Sequence, residues 1–189
     1  MVFKEKAPDM SSQEIEDYYK LLARQHLNRK TDLNKKSVSL IQNHIKGSKV
    51  LDIACGRGFL VQQIHEKDPS IHIYGVDFIL HPDLKNKENM TFVQGNIENI
   101  PFDDGFFDTV ICTHTLEHVQ NIQKALSELR RVTSKRLIIV VPRQRPYRYT
   151  FDLHLHFFPY LFSLKQVMRN PKGEYRVVGN DFFYVEDRK

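Results

Sequence analysis

Val50-Leu51-Asp52-Ile53-Ala54-Cys55-Gly56-Arg57-Gly58 is the stretch that decides how this chain is read. Val50, Leu51 and Ile53 form an apolar run of the kind buried on both faces of a parallel sheet. The run ends in a turn with two glycines two positions apart, where backbone lacking Cβ atoms can come close to a ligand. Phe59, Leu60, Val61 and Ile64 then open an amphipathic helix. A second apolar run, Ile71 to Val76, ends at Asp77, nineteen residues beyond Gly58. Strand, Gly-rich turn, helix and a second strand ending in a carboxylate is an arrangement that binds a nucleoside, because that carboxylate can accept from both ribose hydroxyls.

Two ligand classes use such a turn. A dinucleotide needs a third glycine where Val61 stands, so that helix and pyrophosphate can approach. Asp52 also argues against a diphosphate neighbour, since two anions repel, whereas a carboxylate suits an ammonium group.

Working outward, the chain from Ser48 alternates strand and helix, which predicts a parallel sheet with helices on both faces. Strands are expected at 48–53, 71–76, 90–94, 107–113 and 136–141, the last stopped by Pro142. A loop-like segment with a His81-Pro82 break separates the second from the third. Ile122, Ala125, Leu126 and Leu129 mark a helix, and Ser163-x-x-Gln166 is expected to cap a short one that Pro171 ends. Two further strands flank a Gly179-Asn180-Asp181 turn. Upstream, residues 1–10 are expected to be disordered. Ser11-x-x-Glu14 is a capping box for a helix bearing Ile15, Tyr18, Tyr19 and Leu22, and a second helix is expected from Thr31-Asp32 to Gly47. Residues 1–35 are thus expected to be a helical extension or lid, and 36–189 the ligand-binding domain.

The 189 residues suit one domain with an appendage. No apolar run approaches the ~18–20 residues of a membrane span, and the N-terminus lacks a signal-peptide pattern, so a cytoplasmic protein is expected. Cys55 and Cys112 lie in apolar, strand-like contexts and are expected to be reduced core residues. Net charge is uneven: residues 1–50 carry +4, 51–141 carry −3 and 142–176 carry +5. The basic flanks would attract an acidic substrate or form a solvated surface.

The opening stretch resembles the first motif of class I S-adenosylmethionine-dependent methyltransferases, with Ala54 in place of that motif's first glycine. Gly95-Asn96-Ile97-Glu98-Asn99-Ile100-Pro101-Phe102, Phe106-Phe107-Asp108-Thr109-Val110 and Thr115-Leu116-Glu117-His118-Val119 resemble the later motifs in order. The resemblance spans roughly residues 36–187 and looks closest to the methyltransferase type 11 group, which includes ubiquinone- and menaquinone-biosynthesis enzymes. It implies a Rossmann-like, seven-stranded, mostly parallel α/β sheet with a C-terminal antiparallel hairpin. It also implies S-adenosyl-L-methionine as methyl donor and S-adenosyl-L-homocysteine as product. Asp52, Ala54, Gly56 and Gly58 would face the methionine and ribose part, Asp77 the ribose hydroxyls, and Phe78, Asn96 and Ile97 the adenine. Thr113 and His114 would border the sulfonium. Asn96 departs from the usual Asp, which keeps an acceptor oxygen but removes the charge.

Acceptor groups belong outside the carboxyl ends of the strands. His118, and Asp152, His154 and His156 at alternating positions, are candidate bases. Arg143, Arg145 and Arg148 could hold an anion, and Tyr18 and Tyr19 could close over the donor. Asp152, His154 and His156 have metal-ligand character, but no further ligands that would complete a site are identifiable, so no metal is expected. The expected reaction is in-line methyl transfer to an O, N or C nucleophile of a small molecule. An RNA or protein acceptor, or a binding module without catalysis, are the alternatives. No amino-methylation motif stands at Cys112-Thr113-His114-Thr115, and no RNA-binding appendage is visible.

Overall fold

A computed structural model describes residues 3–23, 31–146 and 153–188. In chain order the elements are α1 (Phe3–Lys6), a 3-10 turn (Ala7–Asp9), α2 (Ser12–Ala23), α3 (Lys35–His44), β1 (Lys49–Ile53), α4 (Phe59–Lys67) and β2 (His72–Asp77). They continue with β3 (Met90–Gln94), β4 (Phe107–Thr113), α5 (Ile122–Val132), β5 (Thr133–Pro142), α6 (Leu161–Met168), β6 (Glu174–Val178) and β7 (Asp181–Asp187). The strands form one sheet in the order β3-β2-β1-β4-β5-β7-β6. The first five are mutually parallel, whereas β7 runs antiparallel to both β5 and β6. The seven strands, the parallel majority and the terminal hairpin match the sequence reading.

Alternation along each central strand splits the core in two. Leu51 and Ile53 of β1, Val110 and Cys112 of β4, and Leu137, Ile139 and Val141 of β5 face α5 and α6. Val50, Ile111, Ile138 and Val140 face the other way, toward α3 and α4. That two-sided burial is why these strands read as continuous apolar runs. α5 shows the complementary logic: Ala125, Leu126, Leu129 and Val132 lie buried on one stripe, each leucine contributing about 1.5–3 kcal/mol of burial. Cys55 and Cys112 are buried and free, as expected.

Three boundaries differ from the sequence reading. The first residues are helical from Phe3, and Ala7 is fully buried, because Gln120 Nε2 donates to the carbonyls of Ala7 (2.8 Å) and Met10 (2.9 Å). A contact more than a hundred residues away is invisible to local pattern. α3 begins at Lys35, capped by Asn34, whose Oδ1 accepts from Ser37 N–H at 2.9 Å; Thr31 instead closes a small turn with Leu33 N–H. Ser163 lies inside α6 rather than at its cap, with Tyr160 occupying that position. The Ser11–Glu14 capping box is present, with Ser11 N–H donating to Glu14 at 2.8 Å and Glu14 N–H to Ser11 Oγ at 3.3 Å.

Candidate functional site

The sheet order reverses beside β1: the chain runs outward through β2 to β3 and then returns to β4 on the other side. In open α/β sheets ligands lie at that reversal, outside the carboxyl ends of the strands. A cavity of about 810 Å³ occupies the position, within the ~300–1,000 Å³ of small-molecule sites. Ile53 and Ala54 border it after β1, Asp77 and Phe78 after β2, Asn96 and Ile97 after β3, and His114 and Thr115 after β4.

The turn after β1 needs left-handed backbone at three places: Ala54 (φ +61°), Gly56 (φ +54°) and Gly58 (φ +72°). Ala54 adopts this conformation against its own preference, where a glycine would adopt it freely. The two glycines serve different ends. A Cβ on Gly56 would meet nothing within 4 Å, so this residue opens onto the cavity. A Cβ on Gly58 would lie 2.9 Å from Leu84 and 3.2 Å from Phe92, so Gly58 caps α4 against the loop beneath and does not line the cavity.

Asp77 ties the turn to β2. Its Oδ2 accepts from Gly56 N–H at 2.7 Å and its Oδ1 from Ile79 N–H at 3.1 Å. Burial raises its pKa, and the backbone N–H groups partly oppose that rise. Asp52 lies behind the wall, 2% exposed and not part of the lining. Among the described residues its Oδ1 has no hydrogen-bond partner. Burial, with the charge of Asp77, pushes its pKa up to about 8. Asn96 Oδ1 accepts from Glu98 N–H at 2.8 Å, which sets the turn carrying Ile97 into the cavity wall.

The roof comes from α2. Ile15 and Tyr19, one helical turn apart, both border the cavity, and Gln120 on the opposite wall ties down the segment that leads into α2. Tyr19 meets the edge of the His118 ring, with centroids 6.1 Å apart. Tyr18 does not reach the cavity and packs on Phe3 at 5.3 Å.

After β4, His114 takes a left-handed conformation (φ +48°) unusual for a side chain of its size. Its Nε2 lies 3.3 Å from Asp181 Oδ1 and its Nδ1 4.0 Å from Glu117 Oε1. Burial alone would pull its pKa down, but these two carboxylates outweigh it and hold the pKa above the ordinary value. Glu117 is 1% exposed, and burial pushes it up to about 7. Residues 153–158 wrap around this corner. Leu155 and His156 N–H donate to the Glu117 carbonyl at 2.6 and 3.0 Å. His118 Nδ1 faces the Leu153 carbonyl at 3.2 Å, and the His154 ring packs edge-on against His118, centroids 4.5 Å apart. His156 is turned to the Val119 carbonyl at 2.9 Å, and burial lowers its pKa.

Of the three candidate histidines, His118 borders the cavity, whereas His154 stands behind it and His156 is turned away. Asp152 and Arg148 lie outside the described residues. Arg143 and Arg145 are not at the cavity: Arg143 N–H donates to Asn180, and the Arg145 guanidinium lies 6.0 Å over the Tyr160 ring. Thr113 is also absent from the lining. Its carbonyl accepts from the Thr115 hydroxyl at 2.8 Å, and Thr115 borders the cavity in its place. Sequence reasoning missed Ile15, Gln120 and the Ile79–Pro82 wall. The i, i+4 spacing of Ile15 and Tyr19 was the available signal for the first.

Residues 51–141 match the family model described as a methyltransferase domain, in agreement with the motif resemblance. The chain is 27% identical over 155 residues to the demethylmenaquinone methyltransferase of Staphylococcus carnosus, covering 76% of this chain and 64% of that one. It is 34% identical over 134 residues to an uncharacterized protein of Methanocaldococcus jannaschii, covering 68% of this chain and 56% of that one. The chain therefore spans less than two thirds of the length of either relative. Among solved structures it resembles the 1,6-didemethyltoxoflavin-N1-methyltransferase of Burkholderia thailandensis, crystallised with bound 1,6-didemethyltoxoflavin and S-adenosylhomocysteine. The TM-score is 0.72 at 16% identity, over 94% of this chain and 88% of that one. At that identity the likeness is one of fold.

Proposed function

We propose that this chain, whose residues 51–141 match the methyltransferase domain family, binds S-adenosyl-L-methionine in the cavity at the end of β1 and β2 and transfers its methyl group to a small molecule. The observation that carries the reading is the Asp77 carboxylate. It is fixed by the N–H of Gly56 at 2.7 Å at the rim of a cavity onto which Gly56 itself opens. That set fits a nucleoside whose ribose hydroxyls donate to Asp77. When bound, S-adenosyl-L-methionine supplies a methyl group activated by its sulfonium charge, and catalysis needs chiefly positioning and exclusion of water.

Each part of the wall has a task in this reading. Asp77 accepts from the ribose, Ala54 and Gly56 present backbone to the methionine end, and Asp52 supplies negative potential behind it. Phe78 and Ile97 pack on the adenine, while Asn96 turns the chain that carries Ile97. His114, Thr115 and His118 lie toward the acceptor. Tyr19 and Ile15 cover the cavity and exclude water. The acceptor is small and largely apolar, since Ile15, Tyr19, Ile79, Leu80, Pro82 and Val119 dominate the remaining wall. The quinone named for the Nostoc punctiforme relative, a 2-phytyl-1,4-naphtoquinone methyltransferase, is of that chemical type.

The test is calorimetric titration of the full chain with S-adenosylmethionine and S-adenosylhomocysteine, with NAD as control. Saturable binding of the first two is the expected result. Binding of NAD alone would overturn the reading. Transfer of labelled methyl from the donor into a panel of reduced naphthoquinones, RNA and protein then separates the acceptor classes, with the small molecules labelled.

A further inference from the structure

We propose that Glu117, His118 and His154 form a site for one divalent first-row transition-metal ion of the zinc class, at the wall of the cavity, where the ion holds an oxygen of the acceptor. The acceptor role rests on the methyl-transfer reading; the ion site does not.

The geometry is the first ground. One donor atom from each of the three side chains lies within 4.8 Å of the other two. Tetrahedral zinc, with bonds of about 2.0–2.2 Å, holds its ligand atoms roughly 3.4 Å apart. Side-chain rotations that draw the three groups inward are needed to close the site.

The second ground is the carboxylate. Glu117 is 1% exposed, and among the described residues neither of its oxygens has a hydrogen-bond partner. Its ion pair with His114 Nδ1 is a long one, at 4.0 Å. A buried carboxylate with no hydrogen bond costs folding free energy, and a bound cation offsets that cost.

The third ground is the state of the two imidazoles. His118 Nδ1 faces the carbonyl of Leu153 at 3.2 Å, and His154 Nδ1 faces the side-chain carbonyl of Gln144. A carbonyl oxygen only accepts, so each Nδ1 carries a proton, and each ring in its neutral form would offer Nε2 to an ion. Metal-binding histidines are held in this way, with the second ring nitrogen donating to a carbonyl or carboxylate.

The donor set names the ion class. Two imidazoles and one carboxylate suit zinc and its neighbours, not the all-oxygen shells of magnesium or calcium. Three protein ligands leave a fourth position, and His118 borders the cavity. An acceptor hydroxyl or enolate oxygen can take that place, where the ion lowers its proton affinity. Glu117 and His118 are adjacent, but His154 comes from the segment after β5, so the set assembles only in the folded chain.

The test uses the full chain after chelator treatment, with no methyl donor present. Zn²⁺ is titrated by calorimetry and Co²⁺ by its visible absorption. One ion per chain is expected. Glu117→Gln and His154→Ala should each weaken binding by roughly 100-fold, at or beyond the 10–100-fold typical of outer-shell changes. His72→Gln, whose ring bonds Thr91 at the opposite end of the sheet, should match the parent chain. Absence of saturable one-to-one binding in the parent, or parental affinity in both variants, overturns the site. If a variant fails to fold, the parent chain decides through its imidazole nitrogen resonances: two must move on Zn²⁺ addition, and none moving overturns the site. S-adenosylhomocysteine titration in parallel keeps the two readings apart. Donor binding without Zn²⁺ binding sinks the metal site alone, and Zn²⁺ binding without donor binding sinks the methyl-donor reading alone.

Discussion

Replacing Asp77 tests the ribose contact most directly. The carboxylate accepts from two backbone N–H groups, Gly56 at 2.7 Å and Ile79 at 3.1 Å, and presents its remaining lone pairs to the cavity. Asp77→Asn keeps the shape but removes the charge. It also turns one acceptor into an N–H₂ group that confronts either Gly56 or Ile79. The structural cost is about 1 kcal/mol, one ordinary hydrogen bond, since water reaches the rim. The ligand cost is larger, because hydrogen bonds to a charged acceptor contribute about 1.5–3 kcal/mol. A loss near 2–3 kcal/mol weakens S-adenosylhomocysteine binding roughly 30- to 150-fold. Calorimetry with S-adenosylhomocysteine and its 2′-deoxy analogue closes a double-mutant cycle. The parent chain should lose affinity on removal of the hydroxyl, and Asp77→Asn should lose little more. Fully additive losses would show that Asp77 and the hydroxyl do not touch, and undiminished affinity in the variant would remove Asp77 from the site altogether.

Other consequences can be checked by unfolding. Asp52 is raised from 3.8 to about 8 by burial first and Asp77 second, so between those values the unfolded chain binds fewer protons than the folded one, and this group's contribution makes stability decline as pH rises through the window. Asp52→Asn removes that decline: its Tm relative to the parent should climb from pH 4 to pH 8, and a pH-independent difference would count against the raised pKa. Glu186 is the opposite case, buried but held below the ordinary range by Arg130 (2.8 and 3.0 Å), Tyr184 and Asn170. The stability it supplies is present above the unfolded carboxylate pKa and disappears as pH falls through the lowered value. Glu186→Ala should cost about 3–5 kcal/mol in urea unfolding at pH 7 by leaving Arg130 unpaired, and a cost below about 1 kcal/mol would place the pair in effective solvent. Gly58→Ala should destabilise by at least about 1 kcal/mol, since it combines φ +72° with contacts at 2.9 and 3.2 Å, whereas Ala54→Gly should be neutral or stabilising; reversed signs would refute the account of the turn.

What was legible in the sequence was whatever short-range pattern governs. The strands announced themselves because each is buried on both faces, and the Val50–Gly58 turn did so because left-handed backbone selects small residues. Asp77 could be placed because a strand end fixes its distance from the turn. The corner after β4 was not legible for a physical reason. Glu117, His118, His154 and Gln144 meet through packing of residues 153–158 onto the corner after β4. No periodicity encodes that packing: the alternation at His154 and His156 gives no sign that one ring meets His118 and the other turns to the Val119 carbonyl. Gln120 likewise gives no local sign that it fastens Ala7 and Met10. Among the described residues no helix is long and apolar enough to cross a membrane, in keeping with the composition.

The strand that comes last along these residues sits inside the sheet. β7 pairs with β5 from Arg136↔Asp187 to Pro142↔Asp181 and with β6 on its other edge. Asp181, at its start, accepts from Asn34 at 3.1 Å and Ser37 at 3.2 Å in the first turn of α3. During synthesis a chain that has emerged only through α6 therefore holds β5 with an open edge. The first turn of α3 still lacks this carboxylate, and His114 lacks its Asp181 neighbour. The corner around His114 closes only when residues 174–187 leave the ribosome and β7 inserts, a long-range pairing of the slow kind. Until then the bare edge of β5 is exposed to pairing with other chains.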